Sequence, residues 1–329
     1  MMGNVLPALR SVLLGVGLAA AFTAAQAEAA EVPESDEPIV LAINEWTGQH
    51  ITTHIAGHIL KRMGYNVEFV TASYFPQFAA IKNGDIHASL EIWKGTGGGE
   101  SFDEAVASGK AVDLGEVGLE EKQTWWYPLY VKEQCPGLPD WQALNDCAQI
   151  FAAPETHPKG RLVDWPLEWN SHNANRMEAL GIDFVAVPAG SEGAIMTEVK
   201  SAAARQAPIL AMLWSPHWIH AEVEGEWVEL PAYEKACEED PAWGMNPDQT
   251  WDCGWPTGWI KKIAWSGFAD KWPAAYRFLD AYQISNGIQI GMMTAIDVEG
   301  QDVVAVTEQW VEDNQDVWQP WVDDAMAGN

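Results

Sequence analysis

The chain carries 329 residues, with 47 acidic against 18 basic ones and a formal net charge of −29 at pH 7. Such a balance argues against nucleic acid and anionic membrane as partners, and the length suffices for two domains with cores of their own. Residues 1–27 read as a signal peptide: Arg10 supplies the positive start, Ser11 to Phe22 the apolar stretch, and Ala25-Gln26-Ala27 the small-residue cleavage site. The apolar stretch is too short to span a bilayer comfortably, and no lipobox-type cysteine follows it. The expected product is a free periplasmic protein, a monomer.

After an acidic lead-in from Glu28 to Glu37, Ile39 to Ile43 reads as a strand. Gln49 to Met63 reads as a helix, with Ile51, Ile55, Ile59, Leu60 and Met63 at helical spacing and Gly64 closing it. Asn66 to Ala72 is a second strand, Phe75 to Lys82 a short helix and Asp85 to Trp93 a third strand. This β-α-β-α-β run with short connections implies a parallel sheet. Lys94-Gly95-Thr96-Gly97-Gly98-Gly99 lacks the G-K-[ST] ending and the G-x-G-x-x-G spacing of nucleotide sites, so it reads as a mobile loop ahead of a helix from Ser101 to Ser108. Thr124 to Lys132 reads as a strand crossing into a second domain. There Ile150 to Ala153, Asn173 to Leu180, Phe184 to Val187, Glu192 to Arg205 and the run from Ile209 repeat the β-α-β logic. Trp259 to Trp265 reads as a strand returning to the first domain, and helices from Phe268 to Ile284 and Val303 to Ala325 complete it. Two crossings, near Trp126 and near Trp255, flank a cleft and make a hinge. The domains are then 38–126 with 256–329, and 127–255.

Nineteen tryptophans are far above normal usage. Four of them close an element beside a turn: Trp46 in Ile43-Asn44-Glu45-Trp46, Trp93 in Leu90-Glu91-Ile92-Trp93, Trp169 in Leu167-Glu168-Trp169-Asn170, and Trp214 before Ser215-Pro216. Ligands in α/β proteins bind at the carboxyl ends of strands. A ligand that wants several indole faces is a methylated cation, which offers no N–H to grip and spreads its charge over methyl groups. Four faces at about 0.5–2 kcal/mol each supply the larger part of the roughly 8 kcal/mol that a micromolar Kd requires.

The four cysteines fall as two local couples, Cys135 with Cys147 and Cys237 with Cys253. An oxidising compartment favours disulfides, and of the three connectivities the local one is expected. Each short loop closed in this way adds about 3 kcal/mol. No C-x-x-C or H-E-x-x-H spacing points to zinc, and no cofactor is expected. Asn246, Asp248, Thr250 and Asp252 offer oxygens at every second residue, a loose likeness to the start of a calcium loop without its glycine or closing glutamate.

The segments Leu60-Lys61-Arg62-Met63-Gly64-Tyr65-Asn66-Val67, Leu90-Glu91-Ile92-Trp93, Leu213-Trp214-Ser215-Pro216-His217-Trp218 and Gln319-Pro320-Trp321-Val322 resemble the glycine betaine, proline betaine and choline type of substrate-binding protein of ABC importers. The resemblance covers nearly all of the chain beyond the leader. It implies an α/β, two-lobed periplasmic binding protein fold of type II, a mixed sheet flanked by helices in each lobe, a two-strand hinge and no enzymatic activity. It also implies an ABC permease as partner and a ligand boxed by aromatics from both lobes. Trp93 and Trp214 carry over directly, Trp169 matches a box residue of betaine-type members, Trp46 the early box residue of choline-type members, and Trp125 or Trp126 the place of a further aromatic. Choline-type members set an acid two residues after the early tryptophan. Here that position is Gly48, which weakens choline and leaves glycine betaine, proline betaine, trimethylamine N-oxide and sulfonium osmolytes.

The far end of the ligand needs its own partners. A betaine carboxylate suits the helix start at Asn170-Ser171. An N-oxide needs a single nearby polar side chain, with Glu155 the leading candidate and Glu45 and Glu91 its rivals. The competing reading is an exported carbohydrate-binding protein or hydrolase whose tryptophans stack on sugar rings.

Overall fold

The computed structural model describes Met1 and residues 32–328, so the leader beyond Met1 lies outside the described residues. Among the described residues the strands are β1 (Ile39–Ile43), β2 (Val67–Thr71), β3 (Ala88–Trp93), β4 (Ala111–Glu120), β5 (Lys122–Pro128), β6 (Pro136–Pro139), β7 (Gly160–Asp164), β8 (Phe184–Pro188), β9 (Leu210–Ser215), β10 (Gly225–Trp227) and β11 (Trp259–Trp265). All but β6 build two five-stranded sheets, β2-β1-β3-β11-β4 and β10-β5-β9-β7-β8. Within the first, β1 pairs in parallel with β2 and β3, and β11 lies antiparallel to β3 and β4. The second follows the same plan: β7 is parallel to β8 and β9, β5 is antiparallel to β9, and β10 is antiparallel to β5. Each sheet is thus a β-α-β-α-β unit extended by a strand that has just crossed from the other lobe, β11 in one case and β5 in the other, with β4 or β10 at its outer edge.

Burial explains the apolar runs. All six residues of β3 are buried, and so are five of the six in β9. Strands covered on both faces read as continuous apolar stretches, not as alternating ones. The helix Thr47–Arg62 turns Ile51, Ile55, Ile59 and Leu60 into the core, and Gly64 ends it in the left-handed region. Among the described residues no helix is long and apolar enough to cross a membrane. Cys135 bonds Cys147 and Cys237 bonds Cys253, the local pairing.

Several elements differ from the sequence reading. The strand expected at Ile150 to Ala153 is a 3-10 turn over Ala148–Phe151, and β7, ten residues on, takes its place in the sheet. The glycine-rich loop is short, because helix Gly98–Ala107 starts three residues early. The C-terminal helix is two, Val303–Asp313 and Gln315–Ala327, broken at Asn314, whose side chain donates to the carbonyl of Trp310. The first crossing falls at Glu121 between β4 and β5, so a boundary at 126 cuts through β5, a strand of the second sheet.

Glu121 gives the crossing a pH signature. Both its carboxylate oxygens are buried, with no well-formed hydrogen bond, and burial pushes its pKa up to about 8 against the pull of Lys94 and the nearby Gly258 backbone N–H. An acid whose folded pKa is raised takes up a proton on folding. Its contribution to stability is complete below pH 4.5, the unfolded value, and is lost as pH rises through about 8. Glu121→Gln is expected to flatten that loss. Between pH 6.5 and 8.5 the melting temperature of the natural protein should fall by roughly 3–6 °C more than that of the variant in calorimetry; parallel curves would place the charge elsewhere.

Candidate ligand-binding site

Strand ends from both sheets bring aromatic side chains to one place between the lobes. Trp46 follows β1, Tyr74 follows β2 and Trp93 closes β3; from the other side Trp165 follows β7, Trp169 sits in the next turn and Trp214 lies near the end of β9. These six, with Thr96 and Gln123, line one cavity. Neighbouring rings stand nearly perpendicular. Trp46 and Trp169 have centroids 5.7 Å apart at 76°, Trp169 and Trp214 5.6 Å at 75°, and Trp165 and Trp214 6.1 Å at 74°. Perpendicular neighbours make the corners of a box and turn several faces toward one centre.

The cavity is small and lined almost wholly by aromatic rings, with about 30 Å³ of room, the scale of a single small head group.

The box is held from behind. Glu91, fully buried in β3, accepts the indole N–H of Trp46 at 2.7 Å and that of Trp93 at 3.0 Å on one oxygen. Its other oxygen accepts from the Thr52 hydroxyl at 2.8 Å and the Gln289 amide at 3.0 Å. Burial pushes the Glu91 pKa up, while these four donors favour the anion. In the second lobe Asp164 does the same work. It accepts the amide of Trp165 at 2.7 Å, the hydroxyl of Ser171 at 2.6 Å and the amide side chain of Asn173 at 2.7 Å, which fixes the loop carrying Trp165 and Trp169.

Polar atoms in the wall are few. Gln123 is 4 % exposed, and neither end of its amide has a hydrogen-bond partner; the indole N–H groups of Trp165 and Trp169 are also unpartnered. Gln123 reaches this place because residue 95 is glycine. A Cβ there would lie 1.5 Å from the Gln123 amide nitrogen.

Of the residues singled out in the sequence, Trp46, Trp93, Trp169 and Trp214 share the cavity. Trp126 does not. On β5 alternate side chains face opposite ways, so with Gln123 in the cavity Trp126 turns to the other face, where its ring fills the space over Gly225. Trp125 is fully buried and donates to Asn173. Glu155 is at the surface, paired with Arg161 at 3.3 Å with its side chain 55 % exposed. Glu45 is exposed. Asn170 and Ser171 are not in the cavity wall: Asn170 is left-handed with φ 50° and exposed, and Ser171 points to Asp164. The residue before the helix Asn173–Ala179 is His172, and the Ser171 hydroxyl accepts the backbone N–H of Asn173 at 3.3 Å. In the calcium-like run one oxygen of Asp252 accepts the backbone amides of Met245 and Asn246, its other oxygen is buried without a hydrogen-bond partner, and the Asn246 side chain donates to the carbonyl of Ala179 in the helix Asn173–Ala179. Sequence reading missed Tyr74, Thr96, Gln123 and Trp165. Only Trp165 carried a readable signal: Asp164-Trp165-Pro166 repeats the pattern of a tryptophan ahead of a proline at a strand end.

Two similar lobes joined by two crossings, with a solute-sized box where they meet, define a solute-binding protein of the two-lobed type. The chain belongs to the family described as the substrate-binding domain of ABC-type glycine betaine transport systems, which matches residues 37–313. Among its relatives is the trimethylamine N-oxide-binding protein of Pelagibacter ubique (strain HTCC1062), 31% identical over 297 residues that cover 88% of this chain and 91% of that protein. Similar solved structures are the glycine betaine/L-proline-binding protein ProX of Borrelia burgdorferi (TM-score 0.69, 18% identity, 89% of this chain and 100% of that one) and a choline-binding protein in complex with choline (TM-score 0.69, 19% identity, 90% and 98%). Lactococcal OpuAC in its closed form with glycine betaine has a TM-score of 0.66 at 16% identity, over 87% of this chain and 100% of that one.

Proposed function

We propose that this protein captures trimethylamine N-oxide in the periplasm, as a monomer and without catalysing a reaction, and delivers it to the permease of an ABC importer. The observation that carries the choice is the wall of the box: six aromatic rings, and no positively charged side chain among the described residues that line it. A betaine carboxylate asks for a stronger partner than an N-oxide, whose one oxygen sits directly on the methylated nitrogen. The unpartnered amide of Gln123 supplies the donor that a single oxygen needs. Choline finds no acid at Gly48, whose carbonyl accepts from Gln289. The Pelagibacter relative, named for trimethylamine N-oxide, supports the same ligand.

Titration calorimetry with trimethylamine N-oxide, glycine betaine, choline and tetramethylammonium tests the reading. The N-oxide should bind at least tenfold tighter than the others; tighter binding of glycine betaine would overturn it. Gln123→Leu should weaken the N-oxide by roughly tenfold, the loss of one buried hydrogen bond, and leave tetramethylammonium, which has no oxygen, unchanged.

A further inference from the structure

Beside the box a second set of groups spans the same gap. Thr47 follows Trp46 directly, and His217 and Trp218 come three and four residues after Trp214. Glu192, His217 and Asp297 have ligand-type atoms within 4.8 Å of one another, a spacing that a metal ion could use. The hydrogen bonds argue for a proton there instead. Nδ1 of His217 accepts the backbone N–H of Ile219 at 3.1 Å, so the ring proton belongs to Nε2, which donates to Glu192 at 3.0 Å. A metal at Nε2 would need both ring nitrogens stripped of protons.

The other bonds cross between the lobes. The second oxygen of Glu192, in the second lobe, accepts the backbone N–H of Thr47 in the first at 2.9 Å. That amide opens a 16-residue helix whose N-cap, Trp46, contributes no side-chain hydrogen bond. Asp297, in the first lobe, accepts the Thr47 hydroxyl at 2.8 Å and the indole N–H of Trp218, from the second, at 2.9 Å. Asp297 lies in a single π-helical turn, Thr294–Val298, a rare local geometry that places a side chain out of helical register. Every group of the set lies one to four residues along the chain from a box residue or is bonded to a partner within its own lobe, and none of them lines the cavity.

We propose that Glu192 and Asp297 are the two jaws of an inter-lobe latch that sets the residence time of the ligand without touching it. The inference rests on the reading of the box as a trimethylammonium site. When Trp46 and Trp214 close on a ligand, Thr47 and Trp218 are carried onto the waiting carboxylates, and opening has to break both bonds. His217 keeps Glu192 aimed at Thr47. The latch therefore acts on release more than on capture.

The test is stopped-flow tryptophan fluorescence on Glu192→Ala, Asp297→Ala and Trp218→Phe, with trimethylamine N-oxide and glycine betaine as the ligands used. The expected result is a release rate raised tenfold or more in the alanine variants and severalfold in Trp218→Phe, an association rate within threefold of the natural protein, and an unchanged melting temperature without ligand. Unchanged release rates, or a ligand-free melting temperature that drops as far as the liganded one, would overturn the latch, the second by showing a plain structural role. Pairs of spin labels, one on each lobe, read the closed fraction without ligand, and it should fall in the same variants. An unchanged fraction counts against the latch even if the natural protein ignores both ligands, a result that would sink the ligand reading alone.

Discussion

Trp214→Ala is expected to weaken trimethylamine N-oxide binding by roughly 30- to 150-fold, about 2–3 kcal/mol. Trp214 is a shared wall: it meets Trp165 at 6.1 Å and Trp169 at 5.6 Å, so its loss removes one face and frees two neighbours. It also opens the box to water, which weakens every remaining cation–π contact. Trp214→Leu separates the causes. It keeps apolar bulk and removes the ring quadrupole, and should still cost at least tenfold. Tert-butanol, the neutral carbon counterpart of the N-oxide, should bind the natural protein far more weakly. Calorimetry on both variants checks the result, and affinity within threefold of the natural protein would remove the cage from the mechanism.

Glu91→Leu is expected to be the most damaging single change to both fold and site, destabilising by roughly 3–5 kcal/mol. It leaves two indole N–H groups, a hydroxyl and an amide facing a side chain that accepts nothing. It also releases Trp46 and Trp93, so affinity should fall at least tenfold in whatever protein remains folded. Glu91→Gln should be harmful too, because either orientation of the new amide sets a donor against donors. Adding Gln289→Glu supplies an acceptor and should restore part of the loss. Urea melts and calorimetry read both quantities, and Glu91→Gln indistinguishable from the natural protein would show that the carboxyl is protonated and idle.

The large features of this molecule are written in short-range patterns. Apolar runs such as β1 and β9 are legible because strands buried on both faces need no alternation. The tryptophans at strand ends are legible because the fold sends ligands there, and Trp46, Trp93, Trp169 and Trp214 do meet. What resisted reading depends on partners distant in sequence. Gln123 is an ordinary polar residue until Gly95 of the other lobe lets it into the box. Glu91 was singled out as a partner for the ligand, but its oxygens are taken by four donors behind the box, which nothing near it in its apolar strand foretells. Trp126 misled because three adjacent aromatics look equivalent until alternation along β5 assigns them faces. Glu155 misled because the strand thought to present it is a 3-10 turn, and β7 begins only at Gly160.

The exchange of strands between the sheets sets an order of assembly. The second lobe draws its strands from one unbroken stretch, Lys122 to Trp227, and its sheet can be completed as soon as that stretch is available. The first sheet has a gap between β3 and β4 that only β11 can fill, and β11 is the last strand to be synthesised. The half of the protein that begins first therefore finishes last, and until residue 265 arrives its two central edges stay exposed to any other strand that passes.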